Sequence, residues 1–233
     1  MRLTSLCDLQ SIQSVPGNPV YGFTGSQGEK FKITILEQDV VRVQHLPEGH
    51  LRLNRTWLVV DKQGDTPIEG RSREDLSPFS TPACRHSSTN SLWRVETDKL
   101  TITLDFRDGH LEWYSAAGIP IASDLPRRAY TYDRTGRAIY HYLQRRTDEH
   151  YFGFGERSGL LDKRGMRLEM RNIDALGYNA ETSDPLYKHV PFYITFIPHL
   201  KVAYGLFYDN LATTVFDMGK EIDAFWGNYR VML

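Results

Sequence analysis

An all-β chain, folded as an antiparallel sandwich, is what the 233-residue sequence predicts. Three observations carry that prediction. From about residue 30 onward apolar and polar residues alternate with a period of two in segment after segment, as in strands with one wet face. Turn residues punctuate these segments at short intervals. No segment shows a helical stripe of several turns, so strands do not alternate with helices and a βαβ fold is excluded.

The elements follow in order. In Phe31-Lys32-Ile33-Thr34-Ile35 every second residue is apolar, Val41, Val43 and Leu46 continue the pattern, and Trp57-Leu58-Val59-Val60 reads as a further strand. Residues 61–90 collect Asp, Gly, Pro, Ser and Arg with few large apolar side chains, which predicts a long polar loop or insertion. The clearest hairpin joins residues 100–106 to 111–114 through Arg107-Asp108-Gly109-His110. A two-residue Asp108-Gly109 turn sets Phe106 opposite Leu111, Leu104 opposite Trp113, and Asp105 opposite Glu112 at a mild like-charge cost. Later strands are predicted at 138–143, 166–170, 191–196, 202–208 and 213–216. The organisation expected is a lead-in over 1–29 and one β-sandwich domain over 30–233. The sequence stops on the apolar, strand-like run 225–233, a pattern expected of a fragment of a longer protein.

Composition narrows the function classes. Lys and Arg number 28 and Asp and Glu 29, a net charge of −1, and the pI is about 6.7. That balance gives no electrostatic reason to expect a nucleic acid or an anionic membrane as partner. Hydrophobic residues at 40% and charged residues at 24% suit a globule with a real core. Aromatic residues, 12% of the chain, suit half-buried strands and also sugar-stacking surfaces. Cys7 and Cys84 stand far apart and outside any CxxC spacing, which argues against a disulfide framework and a structural zinc site. The first residues carry no signal-peptide pattern, so a cytoplasmic location is expected and Asn54-Arg55-Thr56 reads as a chance glycosylation match.

Motifs of nucleotide or nucleophile chemistry are weak. Gly153-Phe154-Gly155-Glu156-Arg157-Ser158-Gly159 has GxGxxxG spacing with no helix after it, so its glycines read as a sharp backbone bend at a sheet crossover. The eight histidines form no HxH or HExxH pair, and no metal or cofactor is expected. The densest polar-aromatic stretch is 169–193. There Asn172-Ile173-Asp174 and Gly177-Tyr178-Asn179 read either as an ordinary capped turn or as a sugar-binding loop, in which carboxylate and amide bond hydroxyls and an aromatic face covers the C–H side.

A set of ordered motifs points further. Phe152-Gly153-Phe154-Gly155-Glu156, Asp162-Lys163-Arg164-Gly165, Asn172-Ile173-Asp174, Gly177-Tyr178 and the run from Asp184 to Phe192 resemble the N-terminal β-sandwich of family 31 glycoside hydrolases, the α-glucosidases and α-xylosidases. Tyr204-Gly205-Leu206-Phe207-Tyr208-Asp209-Asn210 and Phe225-Trp226-Gly227 continue the likeness in order. The resemblance implies a galactose-mutarotase-like super-sandwich that braces a (β/α)8 barrel. In such enzymes the barrel supplies both catalytic carboxylates of a retaining hydrolysis, and this chain has neither the barrel nor the family's nucleophile motif. Catalytic residues are therefore expected to be absent, and the chain alone to be inactive. The resemblance puts Asp174 at the edge of the substrate pocket for an α-linked oligosaccharide, with Asn172 bracing the loop and Tyr178 doing either. Arg171 stands where the family often has an aromatic residue. An exposed apolar, barrel-facing patch around Phe225 and Trp226, and self-association through it, are also expected. Two other readings remain open: a stand-alone carbohydrate-binding module, and a mutarotase-type epimerase using a His and a Glu as acid and base.

Overall fold

A computed structural model describes residues 2–11, 17–135, 138–220, 222–223 and 227–232, the last two segments through their backbone. The chain opens with β1 (Leu3–Ser5) and β2 (Gln10–Ser11). Then come β3 (Val20–Thr24), β4 (Lys30–Ile35), β5 (Val41–Leu46), β6 (Arg85–Ser88), β7 (Leu92–Glu96), β8 (Leu100–Asp105), β9 (Leu111–Ser115) and β10 (Pro120–Ser123). The second half carries β11 (Tyr130–Asp133), β12 (Ile139–Gln144), β13 (His150–Gly153), β14 (Arg167–Met170), β15 (Phe192–Ile197), β16 (Val202–Phe207), β17 (Thr214–Asp217), β18 (Ile222–Asp223) and β19 (Gly227–Met232). Among the described residues the helical structure is a single 3-10 turn, Pro198–Leu200. The chain is all-β, and the strand pairs with assigned register are antiparallel.

Two compact units divide the chain: residues 5–120, and residues 1–4 with 121–233. In the first, the sheet β2-β3-β4-β5 faces strands β9-β8-β7-β6. Alternation explains the layers: Tyr21, Phe23, Phe31 and Ile33 on one sheet and Trp93, Val95, Ile102 and Leu104 on the other are buried. Trp93 joins the layers, its ring 4.8 Å from Tyr21 and 5.4 Å from Phe23. Within residues 1–29, read as a lead-in, the chain thus already forms three strands and contributes core residues.

In the second unit the order is β1-β11-β12-β19-β17-β14, with β18 paired to β19, and a three-stranded sheet β13-β15-β16 stands beside it. Leu143, Tyr151, Phe154, Leu168, Met170, Tyr193, Phe216 and Met218 form its core. Phe154 stacks on Tyr193 at 4.9 Å and meets Phe216 at 5.1 Å, which couples the two sheets. The expected patch around Phe225 and Trp226 lies outside the described residues.

Three local expectations are corrected. Residues 57–60 form no strand: Thr56 bridges Arg71, and the Trp57 indole donates to the Ile68 carbonyl at 2.9 Å, so loop hydrogen bonds hold the segment. Inside the polar stretch 61–90, β6 is a strand, fully exposed along the edge of its sheet. The β8–β9 hairpin is paired two residues away from the predicted register, with Leu104 opposite Leu111, Ile102 opposite Trp113 and Thr103 opposite Glu112. Asp105 causes the shift. Its carboxylate accepts from the Arg107 backbone N–H at 2.9 Å and from the Arg107 guanidinium, which tightens residues 106–110 into one loop closed by Gly109 N–H to Asp105 O at 2.9 Å. A slip of two keeps every side chain on its face and removes the Asp105–Glu112 opposition.

Candidate functional site

Strands β14 and β15 are joined by residues 171–191, a long connection without a strand. What holds it lies mostly beneath it. Strand β13 ends in three consecutive left-handed residues, Gly153 (φ 121°), Phe154 (φ 67°) and Gly155 (φ 70°). A Cβ at Gly153 would stand 2.9 Å from the Phe192 carbonyl oxygen, and one at Gly155 2.7 Å from Val190 Cγ2, so both positions require glycine for close approach. The bend aims the following residues under the connection. It is a crossover device, as the spacing predicted.

Arg157 then enters the interior with its side chain 1% exposed. Its guanidinium binds the Asp184 carboxylate and the Glu169 carbonyl, and its Nη2 lies 2.7 Å from Met170 Sδ. The other oxygen of Asp184 accepts from the Glu169 N–H at 3.1 Å. Ser158 Oγ donates to the Ser183 carbonyl at 2.5 Å. Lys163 is buried too, with Nζ donating to the Ser158 carbonyl at 3.1 Å. Burial, reinforced by repulsion from Arg157, pulls its ammonium below the usual lysine range, against the attraction of Asp184.

On this base the connection folds on itself. Asn179 caps a turn by accepting from the N–H groups of Glu181 and Thr182 at 2.9 and 3.1 Å. Tyr187 donates to the Ala175 carbonyl at 3.2 Å, and its ring meets that of Tyr178 edge-on at 6.1 Å. An open depression of about 330 Å³ results, lined by Ile173, Leu176, Tyr178, Ser183, Asp184 and Pro185 among others.

Tyr178 therefore lies on the wall of a depression, 52% exposed, with Tyr187 as its neighbour. Asp174 sits between two lining residues, Ile173 and Ala175, and is exposed. Among the described residues its carboxylate has no hydrogen-bond or ion-pair partner, so it caps no turn. Asn172 is exposed and likewise unbonded among the described residues; the bracing expected of it is done by Asn179, Asp184 and Arg157. Arg157 carries no motif signal in the sequence, because its partner Asp184 stands 27 positions away.

Two other clusters bear on the alternatives. His141 Nε2 pairs with the buried Asp124 at 2.9 Å, its Nδ1 with the Tyr208 hydroxyl at 2.8 Å, and its ring stacks on Tyr130 at 4.6 Å. Burial and the neighbouring Asp124 push the Tyr130 phenol well above its ordinary range. With both ring nitrogens engaged by protein groups, His141 is not arranged as a free acid or base for a sugar. In the β8–β9 loop the ligand atoms of Asp105, Asp108 and His110 lie within 4.8 Å of one another, but Asp105 is held by Arg107 and His110 by Asp108.

Layered antiparallel sheets with a long polar-aromatic connection at one sheet margin define an all-β sandwich protein. The chain belongs to a family: residues 30–217 match the glycosyl hydrolase 31 N-terminal galactose mutarotase-like domain. It is similar to alpha-glucosidase 2 of Bacillus thermoamyloliquefaciens, 28% identical over 195 residues, which are 83% of this chain and 22% of that protein. A shorter stretch of 73 residues, 31% of this chain, is 37% identical to 10% of the alpha-glucosidase of Saccharolobus solfataricus. Among solved structures the fold resembles a GH31 dextranase of Flavobacterium johnsoniae complexed with glucose, with a TM-score of 0.77 at 22% identity over 100% of this chain and 25% of that one. A GH31 alpha-xylosidase of Xanthomonas citri gives 0.57 at 18% identity, over 94% of this chain and 21% of the other. The chain thus spans a quarter or less of the length of these relatives. It corresponds to an N-terminal, accessory domain of glycosyl hydrolase 31 enzymes.

Proposed function

We propose that this domain serves an α-glucosidase-like retaining hydrolase by bracing its catalytic barrel and lending the 171–191 connection to the rim of the sugar site. The observation that carries the reading is Asp174: an exposed carboxylate without a partner among the described residues, on a connection fastened from below by Arg157, beside the Tyr178–Tyr187 aromatic pair. An ionised carboxylate so placed accepts hydrogen bonds from two adjacent hydroxyls of an α-linked sugar, each contributing about 1.5–3 kcal/mol at best. The aromatic rings offer the apolar C–H face a surface. Cleavage itself takes two further carboxyl groups about 5–5.5 Å apart, which the barrel supplies.

The test uses a hybrid in which this chain replaces the segment it matches in the Bacillus alpha-glucosidase. Asp174→Asn is expected to lower kcat/KM about tenfold, equivalent to about 1.4 kcal/mol, with the melting temperature unchanged. Normal kinetics with a lowered melting temperature would show Asp174 to be structural and overturn the assignment.

A further inference from the structure

Strand β4 reads Lys30-Phe31-Lys32-Ile33-Thr34-Ile35, and its alternation sends Phe31, Ile33 and Ile35 into the core and both lysines to the outer face. That outer face is not bare. Leu46 stands directly opposite Lys30 on β5, so it shares the lysine face, yet it is only 5% exposed. The chain after β5 turns back over it. The Gly49 N–H bonds the Leu46 carbonyl at 2.9 Å, and a Cβ at Gly49 would stand 3.8 Å from Lys30 Cγ. Between this returning segment, the outer face and Glu74 lies a cavity of about 260 Å³, lined by Lys32, Leu46, His50, Leu51, Asn54 and Glu74 besides Gly49.

Residues outside the lining hold it in place. The Arg52 guanidinium takes both oxygens of Glu48 at 2.9 and 2.6 Å, and the Glu48 carbonyl in turn fixes the His50 ring. The Arg73 N–H donates to Asn54 Oδ1 at 3.1 Å, and the Arg73 guanidinium to the Leu53 carbonyl at 2.5 Å. Ser72 Oγ accepts from the Glu74 N–H at 3.2 Å. A lining ordered by the protein itself loses less to ordering when a ligand arrives.

The groups that this framework leaves unspent define the ligand. His50 Nδ1 lies 3.0 Å from the Glu48 carbonyl oxygen, which can only accept, so Nδ1 carries the proton and Nε2 of the neutral ring is an acceptor. The Asn54 carbonyl oxygen is engaged, which leaves its amide NH2 to donate. Lys32 gives Glu74 Oε1 one hydrogen bond at 3.2 Å and keeps two more to donate, while Glu74 Oε2 keeps its lone pairs. Donors and acceptors therefore alternate around one cavity, and the charges of Lys32 and Glu74 cancel. Vicinal hydroxyls, each donating and accepting, match such a set; an anion would meet Glu74 and a cation Lys32. Leu46 and Leu51 offer the apolar surface that the C–H face of a sugar ring requires. The volume is just under the roughly 300 Å³ at which drug-sized pockets begin, which suits one ring and its hydroxyls.

We propose that this cavity, within the unit of residues 5–120, is a carbohydrate site separate from the 171–191 connection, and that it takes one uncharged hexopyranose, free or at the end of a chain. It shares no residue with the Asp174 connection and does not depend on the role given to Asp174.

The test follows the backbone amide NMR shifts of the chain during titration with glucose, maltotriose and sulfate. Glucose in the millimolar range is expected to move the amides of Gly49, His50, Asn54 and Glu74 along one saturating curve. Movement with maltotriose alone also supports the site and identifies the end of a chain as its occupant. Shifts confined to residues 172–185, no shift with either sugar, or sulfate binding more tightly than the sugars at these amides would each overturn the proposal. Lys32→Met and Glu74→Gln, made separately in a pair that is 33% and 57% exposed and so not needed for the fold, are each expected to weaken sugar binding at these amides at least threefold. Parental affinity in both folded variants would overturn the assignment. If neither variant folds, the location of the shifts and the preference for sugar over sulfate decide on the parent chain.

Discussion

The guanidinium of Arg157 and the carboxylate of Asp184 meet across 27 residues of chain, and the Arg157 side chain is 1% exposed where they do. The pair joins the bend after β13 to the far end of the 171–191 connection. The Asp174 loop is thereby fastened to the interior, with the Ser158–Ser183 hydrogen bond beside the ion pair and the His189–Asn210 contact further along the connection.

Arg157→Leu removes the cation and leaves Asp184 without its partner. Loss of one member of a fully buried ion pair costs about 3–5 kcal/mol; with Asp184 partly exposed, about 2–3 kcal/mol is expected. Chemical denaturation measures this, and trypsin is expected to cut faster at Arg171 and Lys188. Unchanged stability and unchanged cleavage would mean the connection is held elsewhere.

Gly153→Ala places a Cβ 2.9 Å from the carbonyl oxygen of Phe192, the same atom that accepts the Phe154 N–H at 2.8 Å. At φ 121° an L-residue is strained as well, so a loss of at least about 1–3 kcal/mol is expected. Gly165→Ala is the control, because its Cβ would meet nothing within 4 Å. Equal melting temperatures for the two variants would contradict the close-approach account.

Asp105→Asn probes the hairpin through pH. The Arg107 side chain holds the Asp105 carboxyl below the usual carboxylate range, with the Arg107 backbone N–H assisting against burial. A carboxyl depressed in the folded state stabilises above its unfolded pKa, near 3.8, and that contribution fades as pH falls through the lower folded value. The variant is therefore expected to be less stable than the parent at pH 7, with the gap closing below pH about 3.8. A gap constant from pH 7 to pH 2 would exclude the carboxylate as its source.

The chain by itself is expected to release no nitrophenol from nitrophenyl α-glucoside, since cleavage needs a paired acid and nucleophile that accessory sheets do not assemble. Release that follows the protein through each purification step would refute this.

Legibility in the sequence follows burial. Strands β4, β8, β12, β14, β15, β16 and β17 announce themselves because one face of each meets a core, and β3 carries the same signal in Tyr21 and Phe23. Strand β6 does not: Arg85-His86-Ser87-Ser88 is exposed throughout, so nothing apolar alternates. Trp57-Leu58-Val59-Val60 has strand composition, but its hydrogen bonds go to the 68–71 loop. In the site, Tyr178 and Asp174 stand out as residue types suited to sugar. Arg157 is silent, because a buried cation is recognisable only with its distant carboxylate in view.

Strand β1 pairs with β11, and the Arg2 N–H reaches Asp133 Oδ1 at 3.0 Å over 131 residues. One unit of the fold therefore begins at the first residues and resumes only after residue 120. On the ribosome, Leu3–Ser5 must wait unpaired while all of the other unit is synthesised. Because that unit is continuous in sequence, it can condense first, and its folding shortens the loop that β1 must later close. Order of assembly is thus written into the connectivity: the continuous unit is an independent early step, and the unit bearing the Asp174 connection completes late, after its edge strand has been kept available.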